Sequence, residues 1–134
     1  MTLVVDAGVA VKWVLDEPGT ERAIALRDSD RDLIAPSLVR AEIGSALWRA
    51  ALRGDITASE ALHALNAAAA HYSCTTPLAE LADDALELAI ALRHPIYDCF
   101  YLALAQRERC PLVTADRRLL SVTATLTAVQ LRTL

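Results

Sequence analysis

The sequence predicts an α/β fold of three layers (α/β/α), in which a central, mostly parallel sheet of four to five short strands is covered by helices on both faces. Short apolar runs of strand length alternate along the chain with longer segments of helical periodicity. Most of these strand-like runs consist mainly of apolar residues, as in strands that are buried on both faces. The 134 residues, 54% of them hydrophobic, are predicted to form a single domain over residues 1–134.

The first half of the chain alternates strands and helices that end at recognisable breakers. Strands are predicted over Thr2–Asp6 and Leu33–Ala35, and helices over Ala7–Leu15, Thr20–Asp28 and Leu38–Leu52. Pro18 and Gly19 break the first helix, and Ser37 is expected to cap the third. Thr57 and Glu60 have the spacing of a capping box, which predicts a further helix that runs to about His71.

The second half continues the alternation. Strands are predicted over Tyr72–Thr75, Pro111–Thr114 and, weakly, Ala128–Leu131, and helices over Pro77–Leu92 and Tyr97–Glu108, with a short helical turn over Asp116–Leu120. The helix at Tyr97–Glu108 is almost entirely apolar, yet it carries an acid in its first turn. Ionised carboxylates rarely lie among apolar neighbours unless they are paired, hydrogen-bonded or bound to metal.

Composition and charge narrow the classes of function. The net charge of -4 argues against a protein that holds nucleic acid by charge alone, but not against an enzyme that acts on it through metal ions. No apolar run approaches the ~18 residues of a membrane span and no signal peptide is recognised, so we expect a cytoplasmic protein. Cys74, Cys99 and Cys110 are expected to be buried thiols, because their spacing fits neither a zinc site nor a disulfide framework.

Four of the seventeen acids stand at positions that the predicted fold brings towards one edge of the sheet. Asp6 ends the first strand, Asp116 follows the fourth, and Glu42 and Asp98 lie near the starts of helices. Taken singly, each has an ordinary explanation as a helix cap or as an acid favoured by the helix dipole. Taken together, they lie where ligands bind in parallel sheets, outside the carboxyl ends of the strands.

A cluster of carboxylates requires a counter-charge. Neighbouring acids repel and raise one another's pKa unless a cation neutralises them. Because neither Cys nor His accompanies these acids in the predicted site, oxygen ligation favours a hard ion, Mg²⁺ or Mn²⁺. Such an ion suits phosphodiester hydrolysis, since it binds a phosphate oxygen and lowers the pKa of a bound water.

Four segments that contain these acids occur in a familiar order and spacing. They are VVDA at Val4–Ala7, APSLVRAEI at Ala35–Ile43, YDCFYLALA at Tyr97–Ala105 and PLVTADRRL at Pro111–Leu119. Together they resemble the PIN-domain ribonucleases, specifically the VapC-type toxins of bacterial toxin–antitoxin pairs. The resemblance spans nearly the whole chain.

The resemblance implies a Mg²⁺- or Mn²⁺-dependent endoribonuclease toxin that cleaves single-stranded or looped RNA. It makes Asp6 and Asp98 the main metal ligands. Glu42 would bind metal directly or through water and help to orient the nucleophile, and Asp116 would be peripheral. Thr114 falls where the family often has a hydroxyl near the site, although a β-branched residue is also ordinary in a strand.

The resemblance also implies partners and shows two departures. It implies a homodimer and a cognate VapB-type antitoxin whose C-terminal segment crosses a groove near the active site. Candidate groove residues are Trp13, Leu47 and Trp48, with core packing as the alternative, which we favour slightly for Trp48. The family often has Ser or Thr where this chain has Gly8, and Asn where it has Ser45, so metal affinity or rate could differ.

Other functions remain open at this point. A haloacid-dehalogenase-type site would need a second Asp at the position of Gly8, and a receiver domain would need a Lys late in the chain, whereas the only lysine is Lys12. Both are therefore poor matches. The main alternative is a catalytically weak or inactive PIN-like assembly module, against which the complete set of four acids argues.

Overall fold

A parallel sheet forms the centre of the molecule. The computed structural model describes residues 1–123 and 129–134. Within them the sheet has five strands: β1 (Thr2–Val5), β2 (Asp32–Pro36), β3 (Cys74–Thr76), β4 (Leu112–Thr114) and β5 (Leu131–Thr133). All pairs are parallel and the order is β3-β2-β1-β4-β5. The predicted parallel sheet is confirmed.

Helices cover this sheet on both faces, which confirms the three-layer α/β/α class. In the described part of the chain they are α1 (Ala7–Val11), α2 (Thr20–Arg27), α3 (Leu38–Leu52), α4 (Ala58–Ala69), α5 (Ala82–Leu92), α6 (Ile96–Glu108) and α7 (Arg117–Thr123). A single 3₁₀ turn, Leu78–Glu80, precedes α5. None of the described helices is long and apolar enough to cross a membrane.

The strand order decides where a ligand site can lie. Strand β1 is central, and Val4 lies opposite Ile34 of β2 on one side and Leu112 of β4 on the other. From β1 the chain proceeds outwards through β2 and β3, and then returns to the other side of β1 for β4 and β5. Connections therefore diverge between β1 and β4, which opens a crevice at the carboxyl ends of these two strands.

Helix α6 is the most deeply buried helix segment. Seven consecutive residues, Cys99–Ala105, are buried, and the helix packs on α5, β1 and β2. A helix that is apolar on all sides is stable only inside a core. Its first turn nevertheless opens to solvent, since the Asp98 side chain is 32% exposed. The helix therefore fixes Asp98 rigidly at the edge of the core.

Local signals predicted most elements, with three corrections. The helix predicted over Pro77–Leu92 is divided into the 3₁₀ turn and α5, because Leu81 departs from helical geometry (φ -111°). The first helix ends at Val11 and continues as turns. Ser37 does not cap α3 with its side chain; its backbone N–H donates to the carbonyl of Thr76 at 2.8 Å, which ties it to β3.

Two further signals had opposite outcomes. The capping box is confirmed, since Glu60 N donates to Thr57 Oγ1 and Thr57 N donates to Glu60 Oε1, both at 3.1 Å. The fifth strand lies later than predicted, at Leu131–Thr133. The start of the predicted strand, at Ala128, lies outside the described residues.

Burial corrects the expectations for several individual side chains. Of the three free thiols Cys99 is buried, Cys110 is half-buried and Cys74 is exposed, so the prediction that all three are buried was wrong for Cys74. Core packing holds for Trp13 and Leu47. It was wrong for Trp48, which is 60% exposed, because α3 turns this face away from the sheet.

Candidate functional site

An open cleft of about 380 Å³ lies at the divergence point between β1 and β4. The four acids singled out in the sequence all line it: Asp6, Glu42, Asp98 and Asp116. They come from four different segments, namely the end of β1, the second turn of α3, the first turn of α6 and the loop after β4. The fold thus brings side chains from the whole length of the chain to one concave surface.

Asp6 is held by hydrogen bonds to both carboxylate oxygens. Oδ1 accepts from Val9 N at 3.0 Å as the N-cap of α1, and Oδ2 accepts from the Thr114 hydroxyl. The pKa of Asp6 is raised to about 6, mainly by burial and to a smaller extent by the charges of Asp98 and Glu42, against the opposing effect of the two hydrogen bonds. The fold therefore holds a negative charge here at an energetic cost.

Thr114 joins the two strands that flank the cleft. The residue is fully buried at the end of β4; it donates to Asp6 and accepts from Asp116 N at 3.0 Å. Its hydroxyl thus makes a specific bridge in addition to the packing that its β-branched side chain provides.

Glu42 is held by a residue that sequence reasoning missed. The Tyr101 hydroxyl donates to Glu42 Oε1 at 2.6 Å, and Tyr101 is only 2% exposed. Burial raises the pKa of Glu42, as does the neighbouring charge of Asp98, while the Tyr101 hydrogen bond lowers it. Arg49 lies on the same helix but donates to Ser45 at 3.0 Å and not to Glu42.

Asp98 also has a partner that sequence reasoning missed. His94 Nε2 lies 2.6 Å from Asp98 Oδ2, and the histidine side chain is 1% exposed. The available signal was spacing for Tyr101 only, which follows Asp98 by three residues and so shares one face of α6 with it. His94 precedes Asp98 by four residues but lies before the start of α6, so helical spacing did not indicate this contact. Spacing alone did not reveal that Tyr101 reaches Glu42, because that contact joins two helices.

Asp116 differs from the other three acids. It is exposed, and its Oδ1 accepts from Arg118 N at 2.9 Å and from Leu119 N at 3.3 Å, so it caps the start of α7. A carboxylate with one oxygen committed to a helix cap has less freedom to enclose a ligand. It lies at the rim of the cleft.

The charges of these acids are not neutralised by neighbouring cations. Lys12 and Arg49 line the cleft, but Lys12 pairs with Glu17 at 3.6 Å and Arg49 bonds Ser45. Among residues 1–123 and 129–134, neither a lysine nor an arginine forms an ion pair with any of the four acids. The cleft is thus a site of uncompensated negative charge, with two basic side chains at its margin.

The donor set suits a hard cation held partly by water. In the described part of the chain, no group of three or more His, Cys, Asp or Glu side chains is arranged so that it could hold a metal ion by itself. Mg²⁺, however, is usually bound through one or two carboxylates and retains several waters. Oxygen donors with uncompensated charge therefore fit Mg²⁺ or Mn²⁺, and the three half-buried acids of the cleft are Asp6, Glu42 and Asp98.

Gly8 leaves space beside Asp6. A Cβ atom at this position would lie 3.6 Å from Asp6 Oδ1, which is an ordinary van der Waals distance. A Ser side chain would therefore fit without displacing the acid. Neither a steric clash nor a left-handed backbone conformation requires glycine at this position. Compared with a Ser or Thr, Gly8 leaves the site without one hydroxyl group.

Comparison with known proteins gives concordant matches. The sequence profile of the PIN domain matches residues 3–124. Ribonuclease VapC3 of Pyrobaculum aerophilum is 31% identical over 121 residues, which cover 89% of this chain and 92% of that protein. Ribonuclease VapC1 of Mycobacterium tuberculosis is 36% identical over 120 residues, which cover 87% and 86%.

Solved structures agree on the fold. VapBC2 from Rickettsia felis, solved with a DNA fragment from its promoter, superimposes with a TM-score of 0.74 at 13% identity and covers 100% of this chain and 99% of that chain. A toxin–antitoxin complex from Klebsiella pneumoniae gives a TM-score of 0.62 at 13% identity, covering 95% and 94%. At such low identity these likenesses concern the fold alone.

Proposed function

The chain belongs to the PIN-domain family as a VapC-type toxin, and from that premise we propose that it is an endoribonuclease that hydrolyses RNA phosphodiester bonds with Mg²⁺ or Mn²⁺. The metal would be held by Asp6 and Asp98, with Glu42 and Asp116 binding directly or through water. The observation that carries the proposal is the group of four acids around one cleft, none of which forms an ion pair with a lysine or arginine among the described residues. Burial, and to a smaller extent the charges of Asp98 and Glu42, raises the pKa of Asp6 there.

The chemistry divides between the cation and the protein. A divalent cation supplies positive charge that neutralises a phosphate oxygen and lowers the pKa of an attacking water. Glu42 is suited to accept the water's proton, because burial raises its pKa and makes it a stronger base, while Tyr101 occupies only its Oε1. Thr114 fixes Asp6 and the backbone at Asp116, so the carboxylates remain in place as the substrate binds.

The margin of the cleft supports a phosphodiester substrate. The cleft is open rather than enclosed, which an extended polymer requires. Lys12 and Arg49 lie beside the acids and can contact the phosphates on either side of the scissile bond. Because the net charge of -4 disfavours binding to RNA by charge alone, a bound cation would add to the affinity for the substrate. An RNA substrate in turn supports a cytoplasmic location.

Cleavage of a single-stranded RNA by the purified chain tests the proposal. We expect cleavage with Mg²⁺ that stops when EDTA is added, and a decrease of at least about 100-fold for Asp98→Asn, because one charged ligand is lost. Asp83→Asn is the matched control, since Asp83 also lies in the first turn of a helix but is exposed and away from the cleft. Equal cleavage by both variants would contradict the proposal.

The inactive-module alternative makes a different prediction. In that case the wild-type chain would bind its partner without cutting RNA under any metal condition. Mapping the 5′ ends of cellular RNA after brief expression would identify both the activity and the preferred site. If cells that express the wild-type chain and cells that express Asp98→Asn give the same set of RNA 5′ ends, the inactive module would be favoured.

We further propose a cognate VapB-type antitoxin and a homodimer as partners. An apolar groove of about 360 Å³ lies between α3 and α4, with Leu47 and Trp48 on one wall and Leu62 on the other. Trp48 and Leu62 are 60% and 64% exposed, so their burial under an apolar peptide segment would stabilise a complex. Trp48→Ser should weaken antitoxin binding at least about tenfold without unfolding the toxin, which calorimetry with the co-expressed partner can measure. Light scattering would determine the oligomeric state.

A further inference from the structure

We propose that His94 is a positioning residue for the metal site: its imidazole Nε2–H holds Asp98 Oδ2, so that Asp98 Oδ1 is presented to the cation. This inference rests on the proposed metal-dependent function. The distance is 2.6 Å, and Oδ1 accepts no hydrogen bond from any described residue, although Asp98 lines the cleft. One carboxylate oxygen is thus fixed by the protein and the other is available.

The backbone on both sides of His94 is held in place. Arg93 adopts a left-handed conformation (φ 52°, ψ 45°) that ends α5, and His94 N donates to the carbonyl of Ala89 at 3.2 Å. Pro95 follows with φ -52° and starts α6. The imidazole is therefore attached to a rigid corner between two packed helices. Its side chain has little freedom, as a group that orients a ligand requires.

The chemistry of the imidazole indicates that it is present for this one hydrogen bond. A buried polar ring costs free energy unless it is hydrogen-bonded, and an apolar residue would fill the same space without that cost. Nδ1 of His94 is buried without a partner in the described structure. The ring thus has a single polar interaction, with Asp98. An ionised carboxylate only accepts hydrogen bonds, which places a proton on Nε2.

The same arrangement recurs at the other two inner acids. Asp6 accepts from the Thr114 hydroxyl and Glu42 accepts from the Tyr101 hydroxyl, and both donors are buried. Each of these donors orients a carboxylate through one hydrogen bond, and none of them is a lysine or an arginine. The exposed fourth acid, at the rim, has backbone donors instead. His94 therefore completes a set of three buried side-chain donors.

Two substitutions at the same position separate hydrogen bonding from packing. His94→Gln can place an amide N–H near the position of Nε2, whereas His94→Leu fills the space without a donor. The experiment titrates each full-length variant with Mn²⁺ and follows free Mn²⁺ by electron paramagnetic resonance. We expect His94→Leu to weaken binding by about 10-fold or more, as second-shell losses do, and His94→Gln to remain within about 3-fold of wild type.

His63→Leu is the matched control, because His63 is an exposed histidine on α4. It should leave Mn²⁺ binding unchanged. Unchanged affinity in both His94 variants would overturn the inference, and so would an equal loss in both, since that result indicates packing. If the wild type itself binds no Mn²⁺, the proposed function fails together with the inference. If the wild type binds Mn²⁺ but the His94 variants do not differ as expected, only the inference fails.

A second measurement does not depend on the folding of the leucine variant. Nitrogen-15 NMR of the wild-type imidazoles distinguishes a protonated Nε2 from a protonated Nδ1, and the His94→Gln spectrum identifies the signals of His94. We expect the Nε2–H form, with a shift of the Nε2 signal when Mg²⁺ is added. The Nδ1–H form at this residue would overturn the inference, because Nε2 could then donate nothing to Asp98.

Discussion

Asp6→Asn is expected to stabilise the metal-free protein at about pH 8 although it removes a site residue. In the folded chain the pKa of Asp6 is raised from 3.8 to about 6, mainly by burial. Folded Asp6 therefore keeps its proton at pH values where the unfolded chain has lost it. The contribution of Asp6 to the free energy of unfolding therefore becomes less favourable as the pH rises from about 4 to about 6, and it stays unfavourable above that range.

The magnitude follows from the size of the pKa change. A change of about two units corresponds to about 3 kcal/mol of free energy of unfolding, at ~1.4 kcal/mol per unit. Asparagine caps helices as well as aspartate, so Val9 N keeps its acceptor. The Thr114 hydroxyl can rotate to accept from the new amide. Because burying an amide also has a cost, we expect a net gain of about 1–2 kcal/mol, or roughly 3–8 °C in Tm.

Thermal unfolding by circular dichroism in EDTA measures this effect. The gain of Asp6→Asn should be present at about pH 8 and fall to a few tenths of a kcal/mol at about pH 4, where the folded acid is protonated. Asp30→Asn, at an exposed loop position, is the control and should change little at either pH. Saturating Mg²⁺ should raise the Tm of wild type only. A lower Tm for Asp6→Asn at pH 8, or the same gain at both pH values, would refute the reasoning.

Three further substitutions test separate parts of the site and its surroundings. Tyr101→Phe removes the hydrogen-bond donor to Glu42. We expect single-turnover RNA cleavage to fall about tenfold and the free energy of unfolding, measured by thermal unfolding, to fall by about 1 kcal/mol. Unaltered cleavage would count against a role for this contact. Gly8→Ser should fit, raise stability by about 0.5 kcal/mol and tighten Mn²⁺ binding, as calorimetry would show; a lower Tm would mean that the site lacks the space inferred here. Trp13→Phe removes the buried hydrogen bond of 2.9 Å from Trp13 Nε1 to the carbonyl of Ala23 in α2. We expect the free energy of unfolding in urea to fall by about 1–2 kcal/mol while RNA cleavage stays unchanged. Altered cleavage would connect this contact to the site.

Sequence signals predicted an element well where interactions between residues close in sequence determine its structure. Helix α3 runs over Leu38–Leu52 as predicted, and the Thr57–Glu60 capping box forms as predicted. In both cases periodicity or a reciprocal side-chain bond within four residues determines the structure. Ser37 shows where this fails: its position suggested a cap, but a hydrogen bond to β3, which lies far along the chain, fixes its conformation instead. Trp48 failed for a related reason, since hydrophobicity alone does not tell which helix face packs on the sheet.

The candidate site was predictable in part. Sequence reasoning singled out the four acids because their positions at strand ends and helix starts jointly fall at one edge of the predicted sheet, although each alone has an ordinary explanation. It did not identify His94 or Tyr101 as their partners. Both contacts depend on side-chain directions at the corner between helices and across the core.

By itself, the sequence determined the fold class, the family, and the acids that could form a site. Alternating strand and helix periods are local properties, and they specify a layered parallel sheet whatever its strand order. Only the tertiary structure decided that β1 lies beside β4, that a cleft opens between them, and that three buried donors hold three acids there. The physical reason is that the strands are all short, so their neighbours are chosen by pairing and packing over long sequence separations. Burial in that arrangement raises the pKa of Asp6.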